Sequence, residues 1–136
     1  MKWLQVVRVK MSEGVEIRPV LADRKAGKSE IFSDIVERVR PLAAINGTFF
    51  SPEMAPQGDI LVDGKLAVRG HYPNAIAMRN DGRIEFVRRQ GGRFNWSGYK
   101  AALSSGPRLI HNGRIVLDPV SDGFRKAALT IVAARS

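Results

Sequence analysis

The chain has no cysteine, which excludes a disulfide framework, a thiolate zinc site and a cysteine nucleophile and leaves the redox compartment open. Histidine is nearly as scarce. The two present, His71 and His111, stand far apart in turn or hairpin contexts, and neither falls in a spacing that holds zinc, so exposure on a turn is the reading ahead of ligation or general-base work. No apolar run approaches the roughly 20 residues a membrane helix needs. The opening MKWLQVVRVK carries Lys2, Arg8 and Lys10 where a signal peptide needs its apolar stretch. The expectation is a soluble chain without membrane insertion, either cytoplasmic or exported with its signal removed. Acidic residues are also in deficit, 13 Asp+Glu against 22 Lys+Arg for a net charge of +9. Such a surface attracts anions, whether phosphate esters, acidic glycans or nucleic acid. The basic residues are scattered, and the local clusters Arg24-Lys25-Lys28 and Arg88-Arg89-Arg93 read as solvated faces. There is no GxGxxG turn, no P-loop and no GxSxG elbow, so nucleotide-fold and serine-triad chemistry have no support.

What is present fits one domain. A chain of 136 residues can bury a core without disulfide or metal staples. Residues 3–11 and 15–21 alternate apolar and polar around Ser12-Glu13-Gly14, which predicts an opening hairpin. From Ser29 the period changes: Ile31, Phe32, Ile35, Val36 and Val39 form one stripe, with Ser29 as N-cap and Pro41 as the stop, predicting an amphipathic helix over about 29–40. An Asx-Gly pair followed by a basic residue then recurs three times, at Asp63-Gly64-Lys65, Asp81-Gly82-Arg83 and Asn112-Gly113-Arg114. Each lies between alternating segments and predicts a hairpin through a type I′ turn, pairing 60–62 with 66–68, 75–79 with 84–88, and 108–111 with 115–117. The aromatic and glycine loop of residues 91–99 is expected to cover a sheet end rather than to stack nucleic-acid bases. The last segment, Ala127 to Ala134, is a buried-strand candidate. The fold class expected is α+β: a mixed, mostly antiparallel sheet built from hairpins, with the one main helix packed on it.

Between the helix and the hairpins lies LAAINGTFF, residues 42–50, followed by a proline- and glycine-containing loop at 52–58. It reads as a short buried strand ending at Asn46-Gly47, a pair suited to positive φ, with Phe49 and Phe50 enclosing the turn. Most carboxylates fall on the outer helix face, in turns or on outer strand faces. Glu53, Asp59, Asp118 and Asp122 remain as candidates for a cleft, and sequence spacing does not pair them.

The order AINGTFF, a Pro/Gly loop, strand-DG-strand, AIAMRNDGRIEF, SSGPRLIHNG and FRKAAL resembles the phosphodiester glycosidase family from about Ser29 to the last residue. INGTFF is similar to the family's NGGFF, SSGPRLIHNG to its gGPxLvxxG, and FRKAAL to its R-T-A-hG, where h is apolar. The resemblance implies a domain that hydrolyses a sugar 1-phosphodiester, releasing the sugar and leaving a phosphomonoester. Asn46 and Arg125 would be catalytic, the amide holding a sugar hydroxyl or phosphoryl oxygen and the guanidinium clamping phosphate with its fork of donors. Gly47 and Phe50 would line the substrate and Gly106 would admit close backbone approach. From the cleft carboxylates, Asp122 joins the catalytic set and Asp118 the substrate contacts.

The chain departs from the family at Thr48, where a second glycine is usual, at Lys126, and at Leu129-Thr130. The family also continues into a further strand, a helix and an NLDGGGS segment, so a C-terminally incomplete domain is the expectation. Two other readings follow from that and from the charge: a non-catalytic module binding anionic glycan or sugar phosphate, and a nucleic-acid binder using the basic surface. No cofactor is evident and a divalent metal stays open. An apolar C-terminal strand suggests homo-oligomerisation through its edge.

Overall fold

The computed structural model describes residues 6–12, 14–25 and 27–117. A 3₁₀ turn at Ala22–Arg24 precedes helix α1 (Phe32–Val39), and seven strands follow: β1 (Ile60–Val62), β2 (Lys65–Val68), β3 (Asn74–Arg79), β4 (Ile84–Arg88), β5 (Tyr99–Ser105), β6 (Ile110–His111) and β7 (Arg114–Ile115). The first five make one sheet in the order β2-β1-β5-β3-β4, and β6 and β7 form a separate ribbon. Every pairing among the described residues is antiparallel. The architecture is therefore α+β and mainly sheet.

All three predicted hairpins are present, but their turns differ. Asp63 and Gly64 both have positive φ, 50° and 73°, as do Asn112 and Gly113, 49° and 74°, which is the type I′ pattern. At the middle hairpin only Gly82 does, with φ 87°. There Gly82 N–H donates to Arg79 O at 3.0 Å and Arg79 N–H to Arg83 O at 2.8 Å, so Asn80 joins the turn as a third loop residue and the glycine takes the left-handed bulge position. Loop length, not the Asx-Gly pair, selects the turn.

β5 is the centre of the sheet, hydrogen-bonded to β1 on one side and β3 on the other. On one face Leu61, Ala77 and Ala102 form the core, with Leu66, Val87, Trp96 and Tyr99 packed against it. The 91–99 loop thus covers this face of the sheet rather than only its end, Phe94 stacking on Trp96 at 4.5 Å and Tyr99 meeting it edge-on at 5.9 Å. On the other face Ile17 and Pro19 lie along Ile76, Met78, Ile84, Ala101 and Leu103.

That placement corrects the opening hairpin. The Ser12 turn forms, with Val15 N–H donating to Ser12 O at 3.1 Å, yet no strand occurs in residues 6–12 or 14–21. The segment is a strap across the sheet face, tied by Arg18 to Asp63 at 2.5 Å and by Lys100 to Glu16 at 2.8 Å. Pro19 has no N–H for a ladder, and the alternation is used by contact with a face instead.

Helix α1 is shorter than predicted. Ile31 occupies the N-cap without a side-chain cap, and Arg40, in the left-handed region at φ 49°, ends it before Pro41. Ser29 lies outside the first turn, and Glu30 is the residue that matters there. Its carboxylate accepts from Asp23 N at 2.7 Å and from Arg38 Nε and Nη2 at 3.0 and 2.6 Å, clamping the helix to the 3₁₀ turn. No residue of α1 is buried. The strand predicted from Leu42 to the Asn46-Gly47 pair is not formed either, and Leu42 is 96% exposed. The central position such a run could have filled belongs to β5. No helix among the described residues is long and apolar enough to cross a membrane. Asp118, Asp122, Arg125 and the Ala127–Ala134 strand candidate lie outside the described residues.

Candidate functional site

Strand register gathers the separate sequence motifs at one end of the sheet. Ile60 pairs with Leu103, Asn74 with both Ser105 and Arg88, so β1 and β3 begin where β4 and β5 end. The INGTFF segment, the 69–73 connection and Gly106-Pro107 therefore converge there, while the Asp63-Gly64 and Asp81-Gly82 turns sit at the opposite end.

The INGTFF segment is shaped by backbone contact. Phe50 bridges to Pro56, Gln57 N–H donates to Phe49 O at 2.8 Å, and Ser51 N–H to Ala55 O at 2.9 Å, closing a tight loop with Met54 at φ 62°. Neither Asn46 nor Gly47 has positive φ, which corrects the expected turn. A Cβ at 47 would lie 3.3 Å from Leu103 Cδ2, close enough that the leucine side chain would have to give by a few tenths of an ångström. Gly58 is more tightly constrained: its Cβ would fall 1.8 Å from Ser104 O and 2.3 Å from Thr48 Oγ1. At Gly70 a Cβ would meet Gln57 O at 2.2 Å. Gly58 thus packs against the backbone at the end of β5, Gly70 packs against the backbone of Gln57 and Gly58, and Gly47 lies beside the Leu103 side chain.

Asp59 locks this packing. It is 3% exposed and lies beside Ser104, which is fully buried. Asp59 N–H donates to Ser104 Oγ at 2.6 Å, and Ser104 N–H returns a bond to Asp59 O at 2.9 Å. The carboxylate accepts from Gly70 N at 2.7 Å and from Trp96 Nε1 at 2.9 Å. A buried carboxylate with both oxygens held by fixed donors is a strut. Glu53, the other described cleft candidate, is exposed on the Ser51–Met54 turn. Hydrogen bonding from the Ser51 hydroxyl, then from its own backbone N–H, holds its carboxyl below the usual range.

Aromatic rings rim the loop. Phe49 meets Tyr72 at 5.4 Å, and His71 stacks on Tyr72 at 4.6 Å. Tyr72 is positioned by its hydroxyl on Gln57 Oε1 at 3.4 Å, and His71 by its N–H on Gln57 O at 3.0 Å. Beside Gly58 the Thr48 hydroxyl is buried with no hydrogen-bond partner among the described residues.

Of the residues singled out from sequence, Asn46, Gly47, Phe50 and Gly106 come to this one end. Asn46 is exposed, Phe50 is 65% exposed, and Gly106 is half-buried just past β5. Thr48, Gly58, Gly70, Ser104 and Trp96 were not legible as parts of the site. Single glycines and serines give no signal until the strands that press on them are known. Among the described residues no group of three His, Asp or Glu side chains is arranged to hold a metal ion.

Comparison with curated proteins and with solved structures returns no match. A family model described as phosphodiester glycosidase matches residues 40–136. That span takes in the INGTFF loop, the whole five-stranded sheet and Gly106-Pro107, well over half of the chain. The convergent loops are those of a chain that belongs to the phosphodiester glycosidase family.

Proposed function

We propose that the chain, acting as a single domain, is a hydrolase of sugar 1-phosphodiesters that releases the sugar and leaves a phosphomonoester. The observation that carries this reading is the placement of the INGTFF loop and Gly106, which lie in two separate stretches resembling family motifs, at one end of the sheet. Asn46 contributes an amide that donates to and accepts from a sugar hydroxyl or a phosphoryl oxygen. Gly47 and Gly106 let the ligand approach the backbone, and Phe50 offers an exposed ring to the apolar face of a sugar. Arg125 holds the phosphoryl oxygens with two parallel donors. Asp122 supplies the catalytic carboxylate, and Asp118 binds sugar hydroxyls.

The test is release of free sugar from UDP-sugars and from sugar-phosphate-sugar diesters by the purified chain. Turnover is expected, with losses of about a hundredfold or more in Arg125→Ala and in Asn46→Ala. Turnover no higher than that of Arg125→Ala would refute the activity. Saturable binding without product, lost in both variants, would identify a non-catalytic sugar-phosphate module instead.

A further inference from the structure

Beside Gly106-Pro107 a cleft of about 350 Å³ opens between the end of β3–β4 and the β6–β7 ribbon, lined by Asn74, Arg88, Pro107, Arg108, His111 and Val116. Its volume falls at the lower end of the roughly 300–1,000 Å³ typical of small-molecule sites. The described lining holds two guanidinium groups, an imidazole and a side-chain amide, and no carboxylate.

Arg108 is fixed in place: Nη2 donates to Phe86 O at 3.1 Å and Nη1 lies 3.0 Å from His111 Nδ1. Arg88 has no ion pair or hydrogen bond from its guanidinium among the described residues. The nearby acid of β4, Glu85, is engaged elsewhere, by Tyr99 at 2.8 Å and Arg79 at 3.6 Å. Two cations facing one cleft repel each other unless an anion lies between them, and planar guanidinium forks match phosphoryl oxygens best. Strand pleat adds a direction. Phe86 and Arg88 share a face of β4, and register places Ile76 opposite Phe86 and Leu103 opposite Ile76. Leu103 is the side chain that a Cβ at Gly47 would approach, so the cleft and the INGTFF loop occupy the same face at the same end of the sheet.

We infer that this cleft is an anion subsite that binds a phosphoryl group through Arg88 and Arg108, with Asn74 and His111 completing its wall. It goes beyond the proposed hydrolysis and does not require it, because binding is expected whether or not the chain turns substrate over.

The experiment is an NMR titration of the full chain with inorganic phosphate at constant ionic strength, chloride replacing phosphate in the reference. Saturable shifts are expected at the amides of residues 74, 88, 106 and 108. Affinity should fall about tenfold or more in Arg88→Gln, which removes no internal bond and should leave folding intact, and likewise in Arg108→Gln. Arg93→Gln, an exposed basic residue of the 91–99 loop, should change nothing. Arg125→Ala should lose turnover and any phosphate response of its own, while the shifts at residues 74, 88 and 108 keep their wild-type titration midpoint, which separates this subsite from the hydrolytic reading. Absence of saturable binding, equal loss in Arg93→Gln, or full affinity in the Arg88→Gln/Arg108→Gln double variant would overturn the inference.

Discussion

Replacing Asp59 with alanine tests whether the site is held from beneath by one buried carboxylate. The substitution removes the acceptor for two donors, Gly70 N–H and Trp96 Nε1–H, bound at 2.7 and 2.9 Å. A donor left unpaired in a buried place costs about 1–3 kcal/mol. Gly70 and Trp96 are only half-buried, so water relieves part of that cost and the lower half of the range applies to each. The expected loss is about 2–4 kcal/mol, a large share of the roughly 5–15 kcal/mol that stabilises a domain. Asp59→Asn keeps one acceptor but turns its amide N–H₂ toward the other donor, and should fall between wild type and alanine. Trp96→Phe removes one donor while keeping most of the ring contact with Leu61, Ala77 and Ala102. In a double-mutant cycle the Asp59 and Trp96 substitutions should therefore couple by about 1 kcal/mol. Urea unfolding followed by far-UV circular dichroism serves every variant, since it does not depend on the tryptophan, and a shifted midpoint at constant slope reports stability alone. Asp59→Ala within about 0.5 kcal/mol of wild type, or strict additivity with Trp96→Phe, would refute the strut.

Gly58→Ala should cost more than about 3 kcal/mol or prevent folding, because its Cβ would collide with backbone at Ser104 O, whereas Gly92→Ala, with nothing within 4 Å, should be neutral within about 0.5 kcal/mol. Urea midpoints of the two variants check the contrast. Glu30 is held below its ordinary value of 4.5, first by Arg38 and then by Asp23 N–H. A depressed folded value means that its contribution is full above pH 4.5 and is lost as pH falls through the folded value. Stability of Glu30→Gln should thus lie below wild type at neutral pH and converge with it in acid. Tyr99 is raised above 10.0, first by the hydrogen bond its hydroxyl donates to Glu85, then by burial. Its contribution is full below pH 10 and declines as pH rises above that value, so wild type should lose stability there relative to Tyr99→Phe in pH-dependent melts.

The parts of the fold that were legible in sequence are those set by local chemistry. Asx-Gly pairs flanked by alternating residues located three hairpins to within a residue or two, because two of the reversals need positive φ at both residues and the three-residue one needs it at its glycine. The helix was located by its stripe, and only its ends were misplaced. β5, the strand on which the sheet depends, was not legible. YKAALSS lacks β-branched residues, and its small side chains make sense only once β1 and β3 flank it and both faces are covered, with Ala101, Ala102 and Ser104 buried. The opposite error, reading the start of LAAINGTFF and the described parts of segments 3–11 and 15–21 as strands, has the same origin. Their apolar pattern is real, but a strand needs a partner, and among the described residues the sheet runs no further than β2 and β4. For the site, Asn46, Gly47 and Gly106 were recognisable by resemblance. Asp59 was visible only as one of four leftover carboxylates, and nothing in its neighbours announces Trp96, far along the chain, as its donor.

Thr48 is where stability and binding are expected to separate. It stands where the family usually has a glycine, and its hydroxyl is buried beside Gly58 without a hydrogen-bond partner among the described residues. An unpaired buried hydroxyl costs about 1–3 kcal/mol. Thr48→Val keeps the branched shape, replaces that hydroxyl with a methyl and leaves the backbone of the loop as it is. The variant should be more stable than wild type by about 1 kcal/mol, the lower end of that range, since the methyl is slightly larger and the gap to Gly58 is tight. If the hydroxyl persists because it contacts ligand, the same variant should weaken sugar-phosphate binding about fivefold or more, one lost hydrogen bond, while melting higher. A higher melting temperature with unchanged affinity would make Thr48 a tolerated replacement for glycine and nothing more. A lower melting temperature would show that the hydroxyl is paired after all, and would remove Thr48 from the site.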